Sequence, residues 1–276
     1  MTYLSAVFLG LIQGIAEFLP ISSSGHLAIL QMFLRIGDLE DHLLFDVLLH
    51  LGTLAAVFTV FHEQIGALLD EFLILLRLKR TPRGYKPDVR SRRNIGFLII
   101  ASLPLILAAL FHDAVEDLTG NPFFIGFALI LTGVFLFAAD RLSHGNKDAK
   151  SATVSDAIVV GLAQAVAAVP GLSRSGATIS AGLLRGFDRE YAVEFSFLLS
   201  IPAVLGANVL SLIKAVQAGI DWSLAPMYLA GVLSAYVFGL LALRLLQTLM
   251  NRGKFGAFSF YCWGAGLLTL ILSLIS

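Results

Sequence analysis

The sequence predicts an all-α polytopic membrane protein: an inverted-topology repeat of six transmembrane helices and two re-entrant helical hairpins meeting near the bilayer midplane. Three observations carry this. Of the 276 residues, 57% are hydrophobic and only 14% charged, with a mean hydropathy of +0.85, whereas a soluble domain has roughly 25% charged residues. Six near-uncharged runs approach the ~20 residues needed to cross a hydrocarbon core. Two further apolar stretches are each broken at the centre by Pro, Gly and Ser, and match one another without a gap at an offset of 151 residues.

The elements follow in order. The start, "MTYLSAVFLG", lacks the basic n-region of a cleaved signal peptide, so the first segment is expected to remain in the mature protein. Residues 1–35 are broken at "PISSSG", leaving two pieces too short to cross, and read as a first hairpin. Spans are expected at roughly 43–61, 94–112 and 122–140. Residues 62–78 carry His62, Glu63, Asp70, Glu71 and Arg77 among leucines and read as an interfacial extension. A second broken stretch, 153–186, gives the second hairpin, followed by spans at about 190–213, 224–249 and 255–276. Pro104 and Pro202 fall inside spans, where a neighbouring helix or polar side chain can take up the freed carbonyl. The halves are then about 1–140 and 151–276, each one hairpin plus three spans. The single Cys262 rules out an intramolecular disulfide framework and reads as a small apolar residue.

Basic residues orient these elements. The loop "RLKRTPRGYKPDVRSRR" (77–93) holds eight Lys/Arg and is expected on the cytoplasmic side. Following the spans from it, residues 140–150, Arg185 with Arg189, and Arg244 to Lys254 fall on the same side. That accounts for sixteen of the 19 Lys/Arg. Arg35 and Lys214 fall outside, as do the termini and the acidic "HDAVEDLTGN" (112–121). Arg174 alone is left without a side.

The two broken stretches, "GLIQGIAEFLPISSSGH" (10–26) and "GLAQAVAAVPGLSRSGA" (161–177), align Gly10 with Gly161, Gln13 with Gln164, and Ser22, Ser24 and Gly25 with Ser173, Ser175 and Gly176. An odd number of spans separates them, so they enter from opposite faces, the layout in which broken helices meet at a polar midplane site. A hairpin tip inside a membrane leaves backbone N–H groups unpaired at the start of its second helix. Serines there cap, and the amides with the helix dipole attract an anion. Arg174 adds a fixed positive charge whose insertion costs at least ~2.5–3.5 kcal/mol, so an anionic partner is expected. Its planar fork suits phosphate.

Gln13 and Glu17 share a helix face, being four apart. A carboxylate beside an anion pocket repels the ligand unless a proton or a metal intervenes, so Glu17 implies either Mg²⁺ held against phosphate oxygens or proton transfer. His26 follows Ser23 by three residues and could serve as base, acid or nucleophile. Glu17, Ser23, His26 and Arg174 together read as phosphoryl-transfer equipment.

These segments, "QGIAEFLPISSSGHL" and "PGLSRSGATI", resemble the two signature segments of the undecaprenyl pyrophosphate phosphatase family of bacterial membranes. The first is similar to that family's (E/Q)xxxE element and its P-(I/V)-S-S-(S/T)-G-H run, the second to its P-G-x-S-R-S-G-A-T run. The resemblance implies hydrolysis of undecaprenyl pyrophosphate to the monophosphate carrier used for cell-wall synthesis, a Mg²⁺ or Ca²⁺ requirement, and a site opening to the outer face of the cytoplasmic membrane. It implies catalytic roles for Glu17, His26 and Arg174, with Ser23 beside them, and phosphate contacts from Ser22, Ser24, Gly25, Gly171, Ser173, Ser175, Gly176 and Thr178. Gln13 stands where the element admits Glu or Gln, so a metal would be held by Glu17 with Gln13. Partners are then a polyprenyl pyrophosphate lipid and membrane lipids, with no nucleic acid; a homo-oligomer is compatible with the sequence.

Other readings compete. Membrane serines and glycines often serve close packing, His50 reads as a structurally paired intramembrane histidine, and Glu190 and Glu194 suit a helix N-terminus. The main alternative is a transporter or flippase of an anionic lipid, because inverted repeats with midplane half-helices are also transporter architecture. An intramembrane serine protease gives Arg174 no role.

Overall fold

The computed structural model describes residues 2–34, 43–81, 84–109, 121–218 and 221–275. Helices α1 (Tyr3–Phe18) and α2 (Ser23–Leu34) form the first hairpin. They are followed by α3 (Leu43–Val60), α4 (His62–Leu75), α5 (Val89–Ala109) and α6 (Pro122–Leu142). The second hairpin is α7 (Val154–Val166) and α8 (Arg174–Leu184), followed by α9 (Arg189–Ala218), α10 (Ala225–Asn251) and α11 (Ala257–Ile275).

Helices α5, α6, α9, α10 and α11 are each long and apolar enough to cross a membrane. Helix α3 passes that test only together with α4, from which it bends away by 86°. At 1.5 Å per residue its 18 residues still reach about 27 Å. The bend falls where the apolar run meets Glu63, Asp70 and Glu71, so α4 turns off as the charges demand. Pro104 and Pro202 sit inside α5 and α9. Helix α5 starts five residues ahead of the expected span. Asp88 accepts the Arg90 amide at 3.0 Å and the Ser91 hydroxyl at 2.5 Å, which starts the helix within the basic segment. Arg35 and most of the acidic 112–121 stretch lie outside the described residues.

Each hairpin begins alike. Thr2 and Thr153, 151 residues apart, both form capping boxes, with Ser5 and Asp156 respectively. Each hairpin's first helix then packs on a span from the other half of the chain: α1 along α10, and α7 along α5. The matched glycines permit this approach. A Cβ on Gly10 would lie 2.2 Å from the Gly231 carbonyl oxygen, and one on Gly161 would lie 2.4 Å from that of Ala101. Close backbone approach through small residues is how helices associate where lipid and side chains are equally apolar.

The basic segments gather at one end of the bundle. The Arg93 guanidinium donates to the Ala149 and Ala152 carbonyls at 3.0 and 2.6 Å. Buried Asp156 accepts from Lys147 at 3.1 Å and Arg185 at 2.8 Å. Arg189 pairs with Asp140. Glu194 does more than favour a helix start: its buried carboxylate meets Arg90 at 2.6 Å. Cys262 is a fully buried free thiol, whereas Leu267, Leu268 and Ile271 on the same helix are exposed in the manner of lipid-facing residues.

Candidate active site

The two hairpin tips meet inside the bundle, and their second helices start in the same way. The backbone turns left-handed at Ser22 (φ 72°) in the first tip and at Gly171 (φ 86°) in the second. Beyond these turns, Ser22 Oγ accepts the Gly25 amide at 3.2 Å, and Ser173 Oγ accepts the Gly176 amide at 3.1 Å. Each capping hydroxyl lies beside the serine two places on: Ser22 and Ser24 at 3.4 Å, Ser173 and Ser175 at 3.3 Å. The tips touch where the Gly171 amide points at Ser24 Oγ, at 3.5 Å.

The first residues of the two second helices, Ser23 and Arg174, are themselves 151 residues apart, and both reach Glu17. This carboxylate sits in the last turn of α1 and is almost completely buried. Ser23 Oγ donates to Glu17 Oε2 at 2.9 Å, and Gln13 Nε2 donates to the same oxygen at 3.1 Å. The Arg174 guanidinium pairs through Nη2 with Glu17 Oε1. Glu17 is thus a point at which the two hairpins are joined by charge.

Two polar atoms here are buried without a partner: Arg174 Nη1 and Gln13 Oε1. A buried donor or acceptor left unpaired costs about 1–3 kcal/mol. One is a charged N–H donor and the other an oxygen acceptor, the pair of needs that a phosphate and a cation would meet.

The remaining residues expected at the site are placed as follows. Ser22 and Ser173 spend their hydroxyl acceptors on their own helix caps, and the Gly25 and Gly176 amides are consumed by those caps. The tips therefore offer ligand contacts chiefly through Ser23, exposed Ser24, Ser175 and Arg174. Thr178 lies one turn into α8, with its hydroxyl donating to the Arg174 carbonyl at 2.9 Å and lying 2.5 Å from Ser196 Oγ. It supports the helix that carries Arg174. His26 donates from Nδ1 to the Ser22 carbonyl at 2.8 Å.

Two further side chains belong to this neighbourhood. Tyr261 on α11 meets His26 Nε2 at 2.7 Å. His50 donates from Nδ1 to the Asp46 carbonyl at 3.0 Å, the structural pairing expected of it, and also lies within electrostatic reach of Glu17 and Arg174. Neither carries a sequence signal beyond its residue type. Tyr261 lies in an aromatic-rich run and His50 in a mostly apolar span four residues after Asp46.

A model of the family described as bacitracin resistance protein BacA matches residues 6–268. A protein of Alkaliphilus metalliredigens named undecaprenyl-diphosphatase is 39% identical over 277 residues, covering 100% of both chains. Proteins of the same name from Methanosphaera stadtmanae and Treponema denticola are 40% and 44% identical. The first alignment covers 99% of this chain and 98% of the relative, the second 97% and 96%.

Proposed function

This chain belongs to the bacitracin resistance protein BacA family, and we propose that it hydrolyses undecaprenyl pyrophosphate to undecaprenyl phosphate and inorganic phosphate. The observation that carries this reading is the convergence of Ser23 and Arg174, from two separate hairpins, on one buried carboxylate. A pure lipid carrier needs donors for its headgroup. It has no use for a buried Glu17 that repels the headgroup, whereas phosphoryl transfer uses such a group to hold a cation or move a proton. Relatives named as diphosphatases favour the enzyme over the flippase.

In this mechanism Arg174 Nη1 takes a phosphoryl oxygen of the substrate while Nη2 stays toward Glu17, so that one planar fork ties ligand to site. The α8 helix start adds its dipole on the same side. Charge that develops on the phosphoryl oxygens in a loose transition state is then met by a donor already in place. Ser23, oriented by its bond to Glu17, lines the same pocket, and His26 follows one turn along the same helix.

Mg²⁺ or Ca²⁺ fits the donor set. Among the described residues no group of three or more His, Cys, Asp or Glu could hold an ion, so a cation would draw on one carboxylate and on neutral hard oxygens. Glu17, the orphaned Gln13 Oε1 and the Ser23 hydroxyl supply these, and Mg²⁺ commonly binds through one or two carboxylates plus substrate phosphates. Such an ion would neutralise the pyrophosphate. The matched hairpins, capping boxes and exchanged packing support two halves of inverted topology, about 1–140 and 151–276. Together with the gathered basic loops they support a cytoplasmic 77–93 segment and a site opening to the outer face of the cytoplasmic membrane.

The test is phosphate release from undecaprenyl pyrophosphate by purified protein in detergent. Release that depends on Glu17 and Arg174 supports the reading. Binding without release, or release unchanged in both variants, overturns it.

A further inference from the structure

The imidazole of His26 is engaged at both nitrogens. Nδ1 faces the Ser22 carbonyl, which can only accept, so Nδ1 carries a proton and donates it. In the neutral ring this leaves an electron pair on Nε2, and the Tyr261 hydroxyl, 2.7 Å away, is the donor to it. The two rings also stack, with centroids 5.6 Å apart and planes at 15°. Tyr261 reaches this position from the last helix of the chain, 235 residues from His26. It is 49% exposed, so burial of its ring gives little reason for the placement.

We propose that Tyr261 is a positioning residue of the phosphatase site and acts through His26. The proposal rests on the phosphatase reading above. Because Nδ1 is spent on the hairpin backbone, any proton that His26 takes up, or any bond that it makes, uses Nε2. The Tyr261 hydroxyl holds the ring by that electron pair and favours the neutral form, which alone can accept an O–H, and it gives the pair up when His26 reacts. The stacked phenol fixes the ring plane. A residue in this role holds a working group in register without touching phosphorus, so its loss shows in turnover rather than in substrate binding.

Tyr261→Phe keeps the stacked ring and deletes only the hydroxyl. Turnover is expected to fall about 10- to 10²-fold, the scale of a small misplacement of a catalytic group. KM for undecaprenyl pyrophosphate is expected to stay within about twofold, as befits a group absent from ground-state binding. In a His26→Ala background Tyr261→Phe should cost nothing more, because residues acting through one another are not additive. The melting temperature of Tyr261→Phe in detergent should match the wild type. Retention of more than half the turnover overturns the proposal, and so does a loss that multiplies with that of His26→Ala. Wild-type protein assayed alongside keeps the two readings apart. No phosphate release by the wild type sinks the phosphatase reading, whereas full release by both wild type and Tyr261→Phe sinks only the role of Tyr261.

Discussion

Replacing Arg174 by lysine separates charge from geometry. In the folded chain the guanidinium meets Glu17 through Nη2 and leaves Nη1 buried and unpartnered. The two side chains are 24% and 7% exposed, so the pair is largely withdrawn from water. Lysine brings one compact ammonium that can face Glu17 but has no second, parallel N–H for a phosphoryl oxygen. Losing one preorganised donor to a developing charge costs about 10²–10³-fold in turnover, roughly 2.7–4 kcal/mol. The fold should tolerate the change, because Glu17 keeps a cation. Arg174→Ala is a different perturbation: it leaves Glu17 with only the neutral donors Ser23 and Gln13. Breaking a buried pair in this way costs about 3–5 kcal/mol, so its melting temperature should drop as well. Adding Glu17→Gln to Arg174→Ala removes the stranded charge and should restore melting while activity stays lost. Phosphate release and thermal unfolding, measured on the same detergent preparations, read both quantities. An Arg174→Lys enzyme with more than half the wild-type turnover would refute the reasoning, as would an Arg174→Ala protein that melts like the wild type.

Chelation should abolish turnover and added Mg²⁺ or Ca²⁺ restore it, while Glu17→Gln should lose at least about 10²-fold at any cation level; Gln13→Glu should be tolerated and lower the half-saturating cation concentration, read by titration. Gly10→Ala and Gly161→Ala force a methyl into a facing backbone and should each cost about 1–3 kcal/mol. Gly96→Ala, whose added Cβ meets nothing, is the control in thermal melts. Asp156→Ala removes a buried acceptor of Lys147 and Arg185 and the α7 capping box, so a loss of about 1–3 kcal/mol is expected in the same assay. With Cys262 replaced by serine, a cysteine introduced at Lys79 should resist a membrane-impermeant thiol reagent in intact cells while one at Trp222 reacts. The opposite pattern would invert the proposed topology.

The hairpins were legible because their signals are local. A segment inside a membrane must satisfy its backbone within itself, so a Pro-Ser-Gly break in an oily run declares a turn, and the serines beyond it declare the cap. Ser22 and Ser173 cap as expected, and Thr2 and Thr153 extend the 151-residue match to the hairpin starts. Gln13 and Glu17 share a face because helical periodicity alone puts them there, and their hydrogen bond follows.

What packs beside what was not legible. In a lipid-facing bundle the outer face of a helix is as apolar as the inner one, so hydrophobic periodicity does not say which side meets a neighbour. Only the fold lays α1 on α10 and α7 on α5. Arg174 stood out as a charge without a side, but its pairing with Glu17, 157 residues away, exists only once two tips entering separately have met. Tyr261 and His50 show the same limit. Each sits in a run where an aromatic or a lone histidine means nothing by itself, and each gains significance from a neighbour supplied by another helix. Local chemistry along the chain dictates where it must break and which charged and hydroxyl groups lie at the breaks. The tertiary structure decided which of those groups meet, because a buried charge is stabilised by whatever partner packing brings within reach, and that partner is set by three-dimensional contact rather than by spacing along the chain.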